Sequence, residues 1–215
     1  MDFSLQVTEI YESVQGESTL TGLPCTFIRL SGCPLRCRWC DTVYSFEGGE
    51  TLGLETIVQR VKALGPKLVE LTGGEPLAQA NASMLCEKLI AEGFDVMIET
   101  SGSFDVSVLP KQVHIVMDLK CPDSGMEDKN MWDNLTHLKS TDDLKFVVAS
   151  YDDFLWADKV IRENDLGDKL NALVSPAFGL VKPDELVAWM LECRTPARLN
   201  LQIHKYIWNP RKKGV

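Results

Sequence analysis

Short apolar runs alternate with amphipathic stretches along this 215-residue chain, and that alternation narrows the choice of fold more than any other feature. Residues 26–30, 67–71 and 94–98 have the length and content of buried strands, and residues 113–119, 144–149, 171–174 and 199–203 continue the series. Between them, residues 54–64 set Ile57, Val58, Val61 and Leu64 on one helical face and stop at Gly65-Pro66. Further helices are expected over 77–92, 152–163 and 183–192, the last with Pro183 at a first helical position. Strand followed by helix, repeated, predicts an α/β fold with a parallel sheet. A closed eight-fold barrel takes about 250 residues, so the expectation is a partial, open β/α barrel of about six parallel strands, one domain over residues 1–215.

The unusual polar residues fall where the expected strands end. Ser31-Gly32-Cys33 follows one strand, Thr72-Gly73-Gly74-Glu75-Pro76 the next, Glu99-Thr100-Ser101-Gly102 a third and Lys120-Cys121-Pro122 a fourth. In parallel β/α folds those ends share one mouth, where ligands bind, so one site assembled from many loops is expected. With 22 basic against 31 acidic residues, the chain has no general attraction for phosphate backbones or anionic lipid. Neither the opening Met1-Asp2-Phe3-Ser4 nor any later apolar stretch resembles a leader or a membrane span. A soluble cytoplasmic protein is expected, without nucleic acid or membrane as direct partner.

Seven cysteines make a disulfide framework a poor fit, and three of them occupy eight positions as C-x3-C-x2-C, in Cys33-Pro34-Leu35-Arg36-Cys37-Arg38-Trp39-Cys40. Soft thiolates this close can converge on one metal centre, iron-sulfur or zinc, with one coordination position left open. A zinc site would need His114, His137 or His204, none at a finger-like spacing. Cys25, Cys86, Cys121 and Cys193 read as small buried hydrophobes. Arg29 stands in an otherwise apolar strand and needs an anion, either a ligand's carboxylate or an internal partner such as Glu17 or Asp41.

Cys33, Cys37 and Cys40 after one strand, with Gly73-Gly74-Glu75-Pro76 after the next, resemble the radical S-adenosylmethionine (SAM) superfamily. Within it, the run from Glu9 to Glu17, Phe27-Ile28-Arg29-Leu30, Cys40-Asp41-Thr42 and Leu201-Gln202-Ile203-His204-Lys205 resemble the 7-carboxy-7-deazaguanine synthase (QueE) family. The chain departs from the family pattern at Ser18, where Gly is frequent, and at Pro34, where Asn is. The resemblance implies a carbon-nitrogen lyase that rearranges 6-carboxy-5,6,7,8-tetrahydropterin into 7-carboxy-7-deazaguanine with loss of ammonia, toward queuosine and related 7-deazapurines. A [4Fe-4S] cluster on the three cysteines would cleave S-adenosylmethionine to a 5'-deoxyadenosyl radical, with Mg2+ as a further cofactor. An external one-electron reductant such as flavodoxin or ferredoxin and a homodimer are also implied.

The same resemblance distributes roles over the site. Substrate falls to Val14, Gln15, Gly16, Arg29, Thr72 and Pro210, and magnesium to Thr42, which the sequence alone would make a cap or turn residue. S-adenosylmethionine falls to Gly74, Glu75, Ser101, the segment Cys121-Pro122-Asp123 and the segment Ser175-Pro176-Ala177-Phe178. Glu75 also suits a helix N-terminus, and His204 suits the core. The basic run from Arg211 to Val215 follows Pro210, so no free carboxylate falls at that proline. Two other functions stay open: a radical SAM activase acting on a glycine of a partner protein, and a non-enzymatic iron-sulfur or zinc module.

Overall fold

In a computed structural model, described over residues 3–215, the chain forms one continuous nine-stranded sheet. Met1 and Asp2, at the start of the opening read as lacking a leader, lie outside the described residues. In chain order the elements are β1 (Ser4–Val14), β2 (Pro24–Leu30), β3 (Glu50–Gly53), α1 (Leu54–Lys62), β4 (Leu68–Gly73), α2 (Ala82–Ala91), β5 (Asp95–Thr100), β6 (His114–Asp118), β7 (Asp143–Val148), α3 (Tyr151–Glu163), α4 (Leu166–Lys169), β8 (Asn171–Pro176), α5 (Pro183–Cys193), β9 (Arg198–Leu199) and α6 (His204–Ile207). The sheet order is β3-β1-β2-β4-β5-β6-β7-β8-β9. From β2 to β9 every neighbour is parallel, seven strands, while β1 pairs antiparallel with both β2 and β3. The sheet does not close on itself.

The strands expected at 26–30, 67–71, 94–98, 113–119, 144–149 and 171–174 form at or within a few residues of those positions, and the seventh shrinks to Arg198–Leu199. The helix expected over 77–92 divides into a short 3-10 turn at Pro76–Ala78 and α2. Its first turn is diverted because Gln79 bonds the backbone of Gln6 and Ser31, and Asn81 donates to Ser4 O at 3.0 Å. Short 3-10 turns follow β5 and β6 in place of full helices, so the β/α alternation lapses at the centre of the sheet.

Helices cover the outer face. Ile57, Val58 and Val61 of α1, Leu85, Cys86 and Leu89 of α2, and Phe154, Ala157 and Ile161 of α3 are buried against Ile28, Leu71, Ile98, Phe146 and Val174 of the strands. At about 25 cal/mol per Å2 of apolar surface removed from water, this layer holds the sheet. On the inner face a smaller apolar cluster of Cys25, Phe27, Leu68, Met97 and Val116 lies toward the strands' N-terminal end. Above that floor Arg29, Glu70, Thr72, Glu99, Asp118 and Lys145 face inward, with Val147 among them. Cys25, Cys86 and Cys121 are buried as expected, whereas Cys193 is half-buried.

Candidate active site

The inner face and the loops at the strands' C-terminal ends enclose a cavity of about 1000 Å3. That is the upper end of the range for small-molecule sites. Cys33, Cys37 and Cys40 line one wall, all half-buried. Their loop is held by Arg36, which donates to Cys33 O and Leu35 O at 2.7 Å and stacks on Phe46 at 4.2 Å, and by Arg38 N, which donates to Ser124 O at 3.1 Å. Burial pushes all three thiols above their ordinary range, with Lys120 pulling each of them the other way. Among the described residues no three His, Cys, Asp or Glu side chains gather around a single point. The three thiols fit a polynuclear cluster better, since each then binds a different iron.

The next loop abuts this one closely. Leu30 pairs with Gly73, and Gly74 N donates to Leu30 O at 3.1 Å while Glu75 N donates to Gly32 O at 2.8 Å. A Cβ at Gly74 would collide with the Gly32 carbonyl and lie 2.8 Å from Cys33 Cβ, so backbone is presented to the cavity there. Glu75 is fully buried and does not line the cavity. Its carboxylate accepts from Leu77 N, Thr100 Oγ1, Ser101 N and Ser101 Oγ, fastening the β4 loop to the end of β5. Thr72 and Ser101 face the cavity.

Arg29 lines the cavity, and its internal partner is neither Glu17 nor Asp41. It is Glu9, opposite on β1, at 2.8 Å, and Arg29 Nη2 also donates to Tyr11 Oη at 2.9 Å. Tyr44 donates to the same Glu9 oxygen at 2.8 Å. This leaves Arg29 Nη1 without a protein acceptor among the described residues. The strand pairing explains the error: the antiparallel β1 was not foreseen as a neighbour of β2.

The loop between β1 and β2 crosses the inner face. Gln15 is buried, accepts from Glu17 N and Ser18 N at 3.1 Å, and donates to Glu70 at 3.4 Å. Thr19 bonds Asp143 at the base of β7. Lys145, 2% exposed, reaches Glu17 at 3.0 Å and Glu99. Against the effect of burial, Lys145 and then His204 hold the Glu17 carboxyl below its usual range, and Glu17 and Glu99 raise the Lys145 ammonium well above its own. Val14 and Gly16 line the cavity, Gln15 does not.

The C-terminal segment lies over the mouth. Ile203 N donates to Gly16 O at 3.1 Å, Gln202 donates to Glu17 at 2.9 Å, and Lys205 pairs with Asp41. Against burial, Lys205 holds the Asp41 carboxyl well below the usual range, and Thr42 Oγ1 donates to it at 2.8 Å. His204 belongs to this rim and not to the core: it lines the cavity, 3.8 Å from Glu17. Pro210 and the basic run after it line the cavity too, and Lys213 stacks on Tyr44 at 4.0 Å.

Ala177 and Phe178 face the cavity, whereas Ser175 is buried against Asn200, and Pro176 faces a smaller neighbouring cavity of about 330 Å3. Cys121, Pro122 and Asp123 stand behind the cysteine loop, with Asp123 fixed by Ser150 and Asp153. Glu70, Asp118 and Lys145 line the cavity and were not singled out from sequence, whereas Glu17, Glu99 and Lys120, which line it too, were noted there only as a candidate partner of Arg29 or as polar residues at strand ends. A charge within an apolar strand, the sign that marked Arg29, is equally present at Glu70 and Lys145.

Among the described residues no helix is long and apolar enough to cross a membrane. A family model described as the radical SAM superfamily matches residues 27–123. A 7-carboxy-7-deazaguanine synthase of Koribacter versatilis is 42% identical, over 98% of this chain and 100% of its own. One of Chlorobaculum tepidum is 41% identical, over 98% of this chain and 97% of its own. The crystal structure of QueE from Escherichia coli shares the fold, with a TM-score of 0.75 at 24% identity over 93% of this chain and 94% of that one. With its cysteine loop and Gly-Gly-Glu-Pro turn side by side at one cavity and relatives matched end to end, the chain belongs to the 7-carboxy-7-deazaguanine synthase family of radical SAM enzymes.

Proposed function

We propose that this protein converts 6-carboxy-5,6,7,8-tetrahydropterin to 7-carboxy-7-deazaguanine with loss of ammonia. The observation that carries this reading is that Cys33, Cys37, Cys40 and a cavity-facing Arg29 line one cavity large enough for a cofactor and a second small molecule. The three cysteines would hold a [4Fe-4S] cluster, and the Gly74 backbone, Ser101, Ala177 and Phe178 would bound S-adenosylmethionine beside it. When bound, these two groups supply the one-electron chemistry that starts the reaction.

The protein's own part is binding, orientation and exclusion of water. Arg29, oriented by Glu9 and Tyr11, offers Nη1 to the substrate carboxylate in a charge-assisted bond. Thr72 and the Val14 to Gly16 segment flank it. Glu75 acts through position, since two of the four hydrogen bonds to it come from Ser101 and set where that residue stands. The segment from Gln202 to Val215 covers the mouth. Thr42 would be the magnesium ligand: its hydroxyl donates to Asp41, which leaves oxygen lone pairs for a cation whose shell substrate and water complete. The reductant would be a flavodoxin or ferredoxin, and the working form a homodimer.

Anaerobically reconstituted protein, given S-adenosylmethionine, reductant, Mg2+ and the carboxytetrahydropterin, is expected to yield the deazaguanine by mass spectrometry and to contain about four irons per chain. Unchanged pterin in that mixture sinks the reading. An activase acting on a protein glycine has no use for the Lys145, Glu17 and Glu99 set that lines the cavity.

A further inference from the structure

Four ionisable side chains stand close together in the lower cavity: Glu17, Glu70, Glu99 and Lys145. Lys145 is committed to Glu17 and Glu99. Glu70 is not committed. It is 1% exposed and lines the cavity, and its carboxyl makes one side-chain contact among the described residues, the 3.4 Å contact from Gln15 Nε2. A buried carboxyl with unfilled acceptor capacity is costly unless something else supplies donors.

Its position tells what that could be. In the β2–β4 register, Arg29 lies beside Thr72, and Phe27 lies beside Glu70. Glu70 therefore sits two residues, about 6.6 Å of strand, deeper in the cavity than the Arg29 level. Beside it the Phe27 ring stacks on Tyr11 at 5.1 Å, giving a flat apolar surface next to the carboxyl. A planar bicycle held by its carboxylate at Arg29 would carry its far edge down to this level. In a pterin that far edge is a 2-amino-4-oxopyrimidine, whose amino group and ring N–H are adjacent donors matched to the two oxygens of one carboxyl.

We infer that Glu70 recognises the aminopyrimidine edge of the substrate and is the residue that selects for its 2-amino group. The inference rests on the proposed pterin substrate. Burial, then the neighbouring Glu99 and Glu17, push the Glu70 carboxyl well above the usual range, so the protein alone opposes a third carboxylate here and an arriving pair of donors offsets that opposition.

The test compares two stable ligands on cluster-loaded protein, pterin-6-carboxylate and its 2-oxo counterpart lumazine-6-carboxylate, by calorimetry. Wild type is expected to favour the pterin by about 10- to 100-fold, and Glu70→Gln to lose that preference while S-adenosylmethionine affinity is unchanged. A Glu70→Gln protein that keeps the preference overturns the role of Glu70 and leaves the substrate reading intact. A wild type that binds neither ligand and leaves the carboxytetrahydropterin unreacted overturns both. Should Glu70→Gln fail to fold, Glu70→Asp, which retracts the carboxyl by one methylene, is expected to reduce the preference, and an unchanged ratio there is equally fatal.

Discussion

Lys145→Met keeps most of the side chain's length and removes Nζ from a site where 2% of the side chain is exposed. What remains is two carboxylates, Glu17 and Glu99, facing each other and Glu70 without a cation between them. Breaking a buried pair by deleting one partner costs about 3–5 kcal/mol. Glu17 and Glu99 keep 17% and 24% exposure toward the cavity, and that partial solvation places the loss near the lower bound, about 3 kcal/mol. For a chain of this size the melting temperature should fall by about 6–12 °C.

The pH dependence has a definite sign. The Lys145 ammonium is raised above its ordinary range, so its contribution is complete below about pH 10. The Glu17 carboxyl is lowered, so its contribution is complete above about pH 5 and fades in acid. In the variant Glu17 loses the ammonium that holds its carboxyl down, so the stability gap should be full at about pH 8 and should narrow as the pH falls. Urea denaturation across that range reads it, and Lys145→Met with Glu99→Gln should recover part of the loss. A gap under about 1 kcal/mol at pH 8, or one that widens in acid, would refute the reasoning.

Cys37→Ala should lower bound iron and abolish 5'-deoxyadenosine formation while stability stays within about 1 kcal/mol, because the thiol is half-buried on a loop; undiminished nucleoside in an anaerobic assay contradicts the ligand assignment. Arg29→Ala should weaken pterin-6-carboxylate binding by about 100-fold and leave S-adenosylmethionine binding nearly unchanged, and equal losses in calorimetry argue against its role. Gly74→Ala forces a Cβ onto the Gly32 carbonyl and Cys33. It should cost about 1–3 kcal/mol and S-adenosylmethionine binding with it, and equilibrium dialysis showing full affinity would count against the backbone contact.

Much of the frame was legible because buried strands and one-sided helices leave plain periodic signs. β4, β5, β7, β8 and α1 stand near their expected places. β1 was not read as a strand, for a physical reason: Leu5 and Val7 alternate with exposed positions, but beyond them Glu9 and Tyr11 serve the Arg29 site and break the period. The same cause hid the true partner of Arg29. Glu70 and Lys145 were overlooked although each carries the sign that marked Arg29, a charge in an apolar strand, because which strand faces meet at one lumen is set by the sheet order.

By itself the sequence determined the chemistry at the strand ends, since Cys33, Cys37, Cys40 and the Gly73 to Pro76 turn are local motifs whose spacing carries their meaning. Only the tertiary structure decided what stands opposite them. Contacts such as Glu17 with Lys145, 128 residues apart, and Lys205 with Asp41, 164 apart, arise from a loop crossing an open sheet and a C-terminal segment folding over its mouth. Long-range electrostatic pairing of that kind leaves no periodic trace, because its partners are chosen by the strand order and not by neighbours in the chain.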